Sequence, residues 1–136
     1  RRVLFRSVSL VFQDHNLIDY LTPEENLRLV NPKADMKILE DLGLSREESK
    51  RNIMHLSGGQ RQRVAVGRAL VAPGRAILAD EPTGSLDPEM TDEVIDLLRQ
   101  AAHQLGKCVI VVTHSKRVAD SADAVYTLRH KKLAKA

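Results

Sequence analysis

The sequence predicts an α/β fold in which a parallel sheet is covered by helices and carries an inserted helical block. Residues 76–79 (AILA) and 108–112 (CVIVV) are continuous apolar runs, too short for helices, as expected of strands buried on both faces. A helical pattern lies between them, and strand–helix–strand alternation points to parallel pairing. Residues 22–54, by contrast, carry successive helix starts and no strand pattern.

The elements follow in order. Val8, Leu10, Val11 and Phe12 read as a first strand. Thr22-Pro23-Glu24-Glu25 is a helix start. Thr22 can cap, Pro23 suits the first helical position, and Glu25 closes a capping box. Asn31-Pro32 ends that helix. A second is expected from Asp35 to Leu42, with Gly43 as its stop, and Ser45-Arg46-Glu47-Glu48 is another capping box. Ser57-Gly58-Gly59-Gln60 has the same spacing. Val64, Ala65, Ala69 and Leu70 continue a helical face as far as Pro73-Gly74. Asp87-Pro88-Glu89 opens a helix with apolar face Val94, Ile95, Leu97, Leu98, Ala101 and Leu105, stopped by Gly106. A short helix is expected over 115–121 and a last strand over 124–128. The region from about Thr22 to Met54 is then mostly helical, an all-α block that follows a strand.

Composition narrows the function. The 136 residues suit one domain, with 43% hydrophobic and 29% charged residues. Two Tyr, two Phe and no Trp leave little for base stacking, so no nucleic-acid partner is expected. The net charge of +3 is mild. One cysteine, Cys108, excludes a disulfide within the chain; its place in an apolar run predicts a buried small hydrophobe. No apolar run approaches the roughly 20 residues of a membrane span. The chain opens Arg1-Arg2 rather than on Met and is read as part of a longer protein. His15, His55, His103 and His130 lack metal-ligand spacing. Lys131, Lys132 and Lys135 read as a solvated tail.

Several residues stand where chemistry is done. Asp80-Glu81 directly follows an apolar strand, where open α/β sheets bind ligands. Asp there can hold Mg²⁺, and Glu can polarise a water; the plainer reading is a solvated turn. His114 ends the second apolar strand, so parallel pairing would bring it beside Asp80-Glu81. It could contact a phosphate or orient a water, or be structural. Gln13 ends the first strand in the same way and could ligate Mg²⁺. Ser57-Gly58-Gly59-Gln60 caps its helix, and the same geometry makes an anion site.

Gln13 in VFQD, LSGGQ at 56–60, Asp80-Glu81 in ILADEP, Ser85-Leu86-Asp87 and His114 occur in one order. That order and spacing resemble the nucleotide-binding domain of ATP-binding cassette (ABC) proteins. They match its Q-loop, signature motif, Walker B with catalytic glutamate, D-loop and switch histidine. DEPTGSLD and NLIDYLTPEENL resemble the lipoprotein-releasing, macrolide-export and cell-division ATPases. The resemblance implies a P-loop NTPase-type sheet. Its Walker A motif, G-x-x-x-x-G-K-[ST], is absent: no glycine precedes Gly43. The one Gly-Lys pair, Gly106-Lys107, has Ala101 where the first glycine should be and Cys108 where Ser/Thr should follow. The chain is read as the C-terminal part of one cassette, with the last strand deprived of its usual neighbour.

The resemblance implies ATP and Mg²⁺ as cofactors, with two cassettes sandwiching two ATPs. It makes Glu81 the general base and His114 the stabiliser of the transferring phosphate. Ser57, Gly58, Gly59 and Gln60 would face the partner's ATP, Asp80 and Gln13 would hold Mg²⁺, and Asp87 would couple the two sites. A transmembrane permease would dock on a helical subdomain of about residues 15–55, with 1–14 and 56–136 as the α/β core, placing the protein on the cytoplasmic face of the membrane. Two alternatives stand. One is a soluble ABC-type ATPase acting on DNA or ribosomes; the other is a truncated, non-enzymatic partner that contributes a signature half-site.

Overall fold

The computed structural model describes residues 8–12 and 15–136. Gln13 lies outside the described residues. Strand β1 (Val8–Val11) leads to three short helices, α1 (Pro23–Val30), α2 (Lys37–Asp41) and α3 (Arg46–Ser49), and a 3₁₀ turn at Ile53–His55. Then come α4 (Gly58–Val71), β2 (Ala76–Asp80), α5 (Pro88–His103), β3 (Cys108–Val112) and α6 (Lys116–Asp120). The chain closes with β4 (Tyr126–Arg129) and β5 (Lys132–Lys135).

The capping chemistry read from the sequence builds the helical region. Thr22 and Glu25 close a box at the start of α1, and Ser45 and Glu48 close one at α3. Gly43 follows α2 at φ +79°, the left-handed conformation that lets a helix stop. Buried Asn26 stitches the preceding loop to α1. It accepts from the Ile18 amide and donates to the carbonyls of Ile18 and Thr22.

The sheet is parallel in the order β1-β2-β3, with Leu10, Leu78 and Ile110 in one row. Alternate residues point to opposite faces. Val11, Ile77 and Ala79 are buried, with Val109 and Val111 packed against the same core under α4 and α5. The other face corrects the expectation of a sheet covered on both sides. Val8, Leu10, Leu78, Ile110 and Val112 are 39–56% exposed, because no described helix packs on that side. Cys108 shares this face and is exposed, not buried as the sequence suggested.

The final strand is not in the parallel sheet. Among the described residues β4 pairs only with β5, antiparallel, across a turn in which His130 and Lys131 have φ of 48° and 63°. The lysine tail is therefore a strand of a hairpin. Leu105, assigned to the apolar face of α5, lies beyond that helix and is 65% exposed. Asp92 on α5 holds α6 through a forked pair with Arg117, and His103 at the end of α5 pairs with Asp123.

Candidate nucleotide and catalytic site

Asp80 and Glu81 leave the C-terminal end of β2, and His114 follows the end of β3. The ladder continues one step past β2, because the Glu81 amide donates to the Val112 carbonyl at 2.8 Å. The chain then turns sharply: Glu81 has φ +48°, rare for a residue with a side chain and strained by about 1–3 kcal/mol. That turn delivers the Glu81 carboxylate to the neighbouring strand. Its Oε1 accepts from the His114 amide at 2.7 Å and its Oε2 from the Thr113 hydroxyl at 3.1 Å. The Thr113 oxygen accepts in turn from the Ser115 amide at 2.9 Å, which fixes its proton toward Glu81. A negative group and an imidazole-bearing residue thus meet at the C-terminal ends of adjacent parallel strands, where such sheets bind ligands.

Asp80 is exposed at the strand end, and its carboxylate has no hydrogen-bond partner among the described residues. An unshared carboxylate is a hard oxygen donor of the kind Mg²⁺ takes. No cluster of three or more acidic, His or Cys groups that could hold a metal occurs among the described residues, so Asp80 would need donors from elsewhere. Asp87 serves the local structure by capping α5, where it accepts from the Met90 amide at 2.8 Å.

The glycine pair opens α4. Ser57 Oγ accepts from the Gln60 amide at 3.1 Å, and Gln60 Oε1 accepts from the Ser57 amide at 2.9 Å. The Ser57 hydroxyl donates to no acceptor among the described residues. The Gly58 and Gly59 amides find no acceptor among the described residues, as expected of a helix's first turn. A Cβ at Gly58 would meet nothing within 4 Å, whereas one at Gly59 would stand 3.1 Å from the Ser85 carbonyl. Gly58 therefore faces open space, and Gly59 lets the loop after Glu81 lie against the helix.

Gln60 does more than cap. Its Nε2 donates to Glu48 Oε1 at 2.9 Å, while Glu48 Oε2 accepts from the Ser45 amide at 2.8 Å. The capping boxes of α3 and α4 are one connected network. Both ends of the Gln60 side chain are thereby engaged by protein. The arginines after the motif also turn inward. Arg61 donates to the carbonyls of Ile53 and Met54, and Arg63 to those of Leu42 and Gly59. Arg68, further along α4, donates to the His15 and Asn16 carbonyls, just past Gln13; burial lowers its pKa from the usual value.

Sequence reasoning missed Gln62 and Thr113. Gln62 is 1% exposed and bridges α4 to the loop carrying Glu81. Its signal was a polar residue three positions before Ala65 on an otherwise apolar helix face.

The family model described as ABC transporter matches residues 1–84, more than half of the chain. The chain belongs to the ABC transporter family. Among curated ABC relatives it is 36% identical to the uncharacterized ABC transporter ATP-binding protein YclH of Bacillus subtilis, over 85% of this chain and 56% of that protein. It is 41% identical to the lipoprotein-releasing system ATP-binding protein LolD of Rickettsia prowazekii, over 90% of this chain and 60% of LolD. The macrolide export ATP-binding/permease protein MacB of Brucella melitensis is 42% identical over 91% of this chain and 20% of MacB. The chain thus spans less than two thirds of the curated relatives' length. Among solved structures, the ABC cassette MJ0796, in a dimer bound to ADP and Pi, matches with a TM-score of 0.85. Identity is 32%, covering 98% of this chain and 65% of that one.

Proposed function

We propose that this chain is the ATP-hydrolysing cassette portion of an ABC transporter, coupling ATP-driven pairing of two cassettes to a membrane permease. The observation that carries the reading is the Glu81 carboxylate held between Thr113 and the His114 amide, beside the exposed Asp80. In this role Glu81 takes the proton of the attacking water, and the His114 imidazole stabilises the transferring phosphate. Asp80, with Gln13, would hold Mg²⁺, which supplies neutralisation of the β- and γ-phosphate charge. The Ser57 hydroxyl and the Gly58 and Gly59 amides would meet the γ-phosphate on the partner cassette's ATP, with Gln60 holding them in place. Asp87, at the interface, would link the two sites. The permease would dock on the helical region around α1–α3, with the cassette on the cytoplasmic face of the membrane. No described helix is long and apolar enough to cross a membrane.

The 136 residues hold no Walker A lysine to grip the β- and γ-phosphates. By itself the chain is expected neither to bind ATP tightly nor to hydrolyse it, and measurable turnover by this sequence would refute that. Mixed with an intact cassette, it should form an ATP-dependent pair through LSGGQ, read by light scattering after size exclusion. No pairing at saturating ATP would remove the role given to the signature. In a cassette completed by Walker A, Glu81→Gln should cut turnover by about 10²–10⁴-fold and trap the ATP-bound pair. Turnover at the parent rate would remove Glu81 as base.

A further inference from the structure

The signature helix α4 is wired to the catalytic loop of its own chain by one buried side chain. Gln62 is 1% exposed and lies one turn into α4. Its Nε2 donates to the Glu81 carbonyl at 2.7 Å, and its Oε1 accepts from the Ser85 amide at 2.7 Å. The amide group thus spans the turn Glu81–Ser85 at both ends. That turn holds the strained backbone at Glu81, φ +48°, which sends the carboxylate across to Thr113 and the His114 amide. A left-handed residue with a side chain persists only where its surroundings over-determine it. Here the Glu81 carbonyl is fixed by Gln62 and by the Gly84 amide at 3.2 Å, and only the first of these comes from outside the turn.

We infer that Gln62 is a positioning residue for Glu81: by clamping the Glu81 carbonyl and the Ser85 amide, it sets where the Glu81 carboxylate lies and ties that position to the helix bearing the signature glycines. The inference rests on the catalytic reading of Glu81 for its importance, but not for its test. A glutamine suits this place because it donates and accepts from one planar group and carries no charge into a buried site. Methionine matches its length and does neither. Glutamate keeps the acceptor for Ser85 but regains a donor only when protonated, and burial raises the pKa of a buried carboxyl.

The test is the backbone amide spectrum of this chain, with Gln62→Met and Gln62→Glu beside the parent. The reporter is the His114 amide proton, which Gln62 does not touch and which its 2.7 Å bond to Glu81 Oε1 should move downfield. In Gln62→Met that proton should move upfield, while the amides of Ile77 and Val94 in the core keep their shifts. In Gln62→Glu the His114 difference from the parent should shrink as the pH falls, because the new carboxyl takes up a proton and regains a donor for the Glu81 carbonyl. A side chain that merely filled space would lower the melting temperature without this pH-dependent recovery. The inference is overturned if His114 keeps its parent shift in Gln62→Met while the Ser85 amide moves. It is overturned equally if the Gln62→Glu difference fails to shrink at any pH at which both proteins stay folded. Neither readout needs ATP turnover, so failure of the transporter reading leaves this result standing on its own.

Discussion

Gly58→Ala should make the chain more stable and its signature worse. A Cβ at this position would meet nothing within 4 Å, and its backbone is not left-handed. Replacing such a glycine stabilises by about 0.4–1 kcal/mol, by narrowing the unfolded ensemble. At about 2.1 cal/mol/K per residue, the 136 residues unfold with an entropy of about 0.29 kcal/mol/K. The melting temperature should therefore rise by about 1.4–3.5 °C. The same methyl would stand in the open space through which, in the proposed function, a phosphate would reach the Gly58 and Gly59 amides. Losing one charge-assisted hydrogen bond costs about 1.5–3 kcal/mol, or roughly 10- to 150-fold in affinity. Calorimetry gives the first number, and titration against an intact cassette at saturating ATP gives the second. Undiminished pairing would refute the use of these amides. A lower melting temperature would refute the open surroundings of Gly58. Gly59→Ala is the control, since its Cβ would press on the Ser85 carbonyl at 3.1 Å and should not stabilise.

Gly43→Ala should destabilise by about 1–3 kcal/mol in urea unfolding, because an L side chain would be forced to φ +79°, 2.7 Å from Met90 Cε. Cys108 is exposed on β3 and should react fully with a thiol reagent in native buffer; reaction only in denaturant would place that face under cover. Ile110→Lys puts a charge in the exposed row Leu10–Leu78–Ile110. Sedimentation should then show less self-association than the parent at equal concentration, with stability changed by no more than about 0.5 kcal/mol.

Local chemistry was legible in the sequence wherever it is completed within a few residues. Thr22 with Glu25, Ser45 with Glu48 and Ser57 with Gln60 announce three capping boxes, and all three form. The strands at β2 and β3 were equally plain, and parallel pairing put His114 beside Glu81 at their ends. What failed needed tertiary knowledge. The apolar run CVIVV cannot say which of its faces has a cover, so Cys108, Ile110 and Val112 were expected inside. The β4–β5 turn uses His130 and Lys131 at positive φ instead of Asn-Gly, so nothing in it reads as a hairpin. Gln62 and Thr113 act on Glu81 from 19 and 32 positions away in the chain, beyond any local pattern.

The bond from Gln60 to Glu48 means that the direction of the glycine amides is set outside the motif. Glu48, 12 positions earlier, holds Ser45 with one oxygen and Gln60 with the other. A tilt of α3 would therefore reach the first turn of α4 through two joined capping boxes. The five letters LSGGQ are the tip of a longer pointer whose mount is the small helix Arg46–Ser49. Whatever presses on that helix would aim the amides without touching a nucleotide.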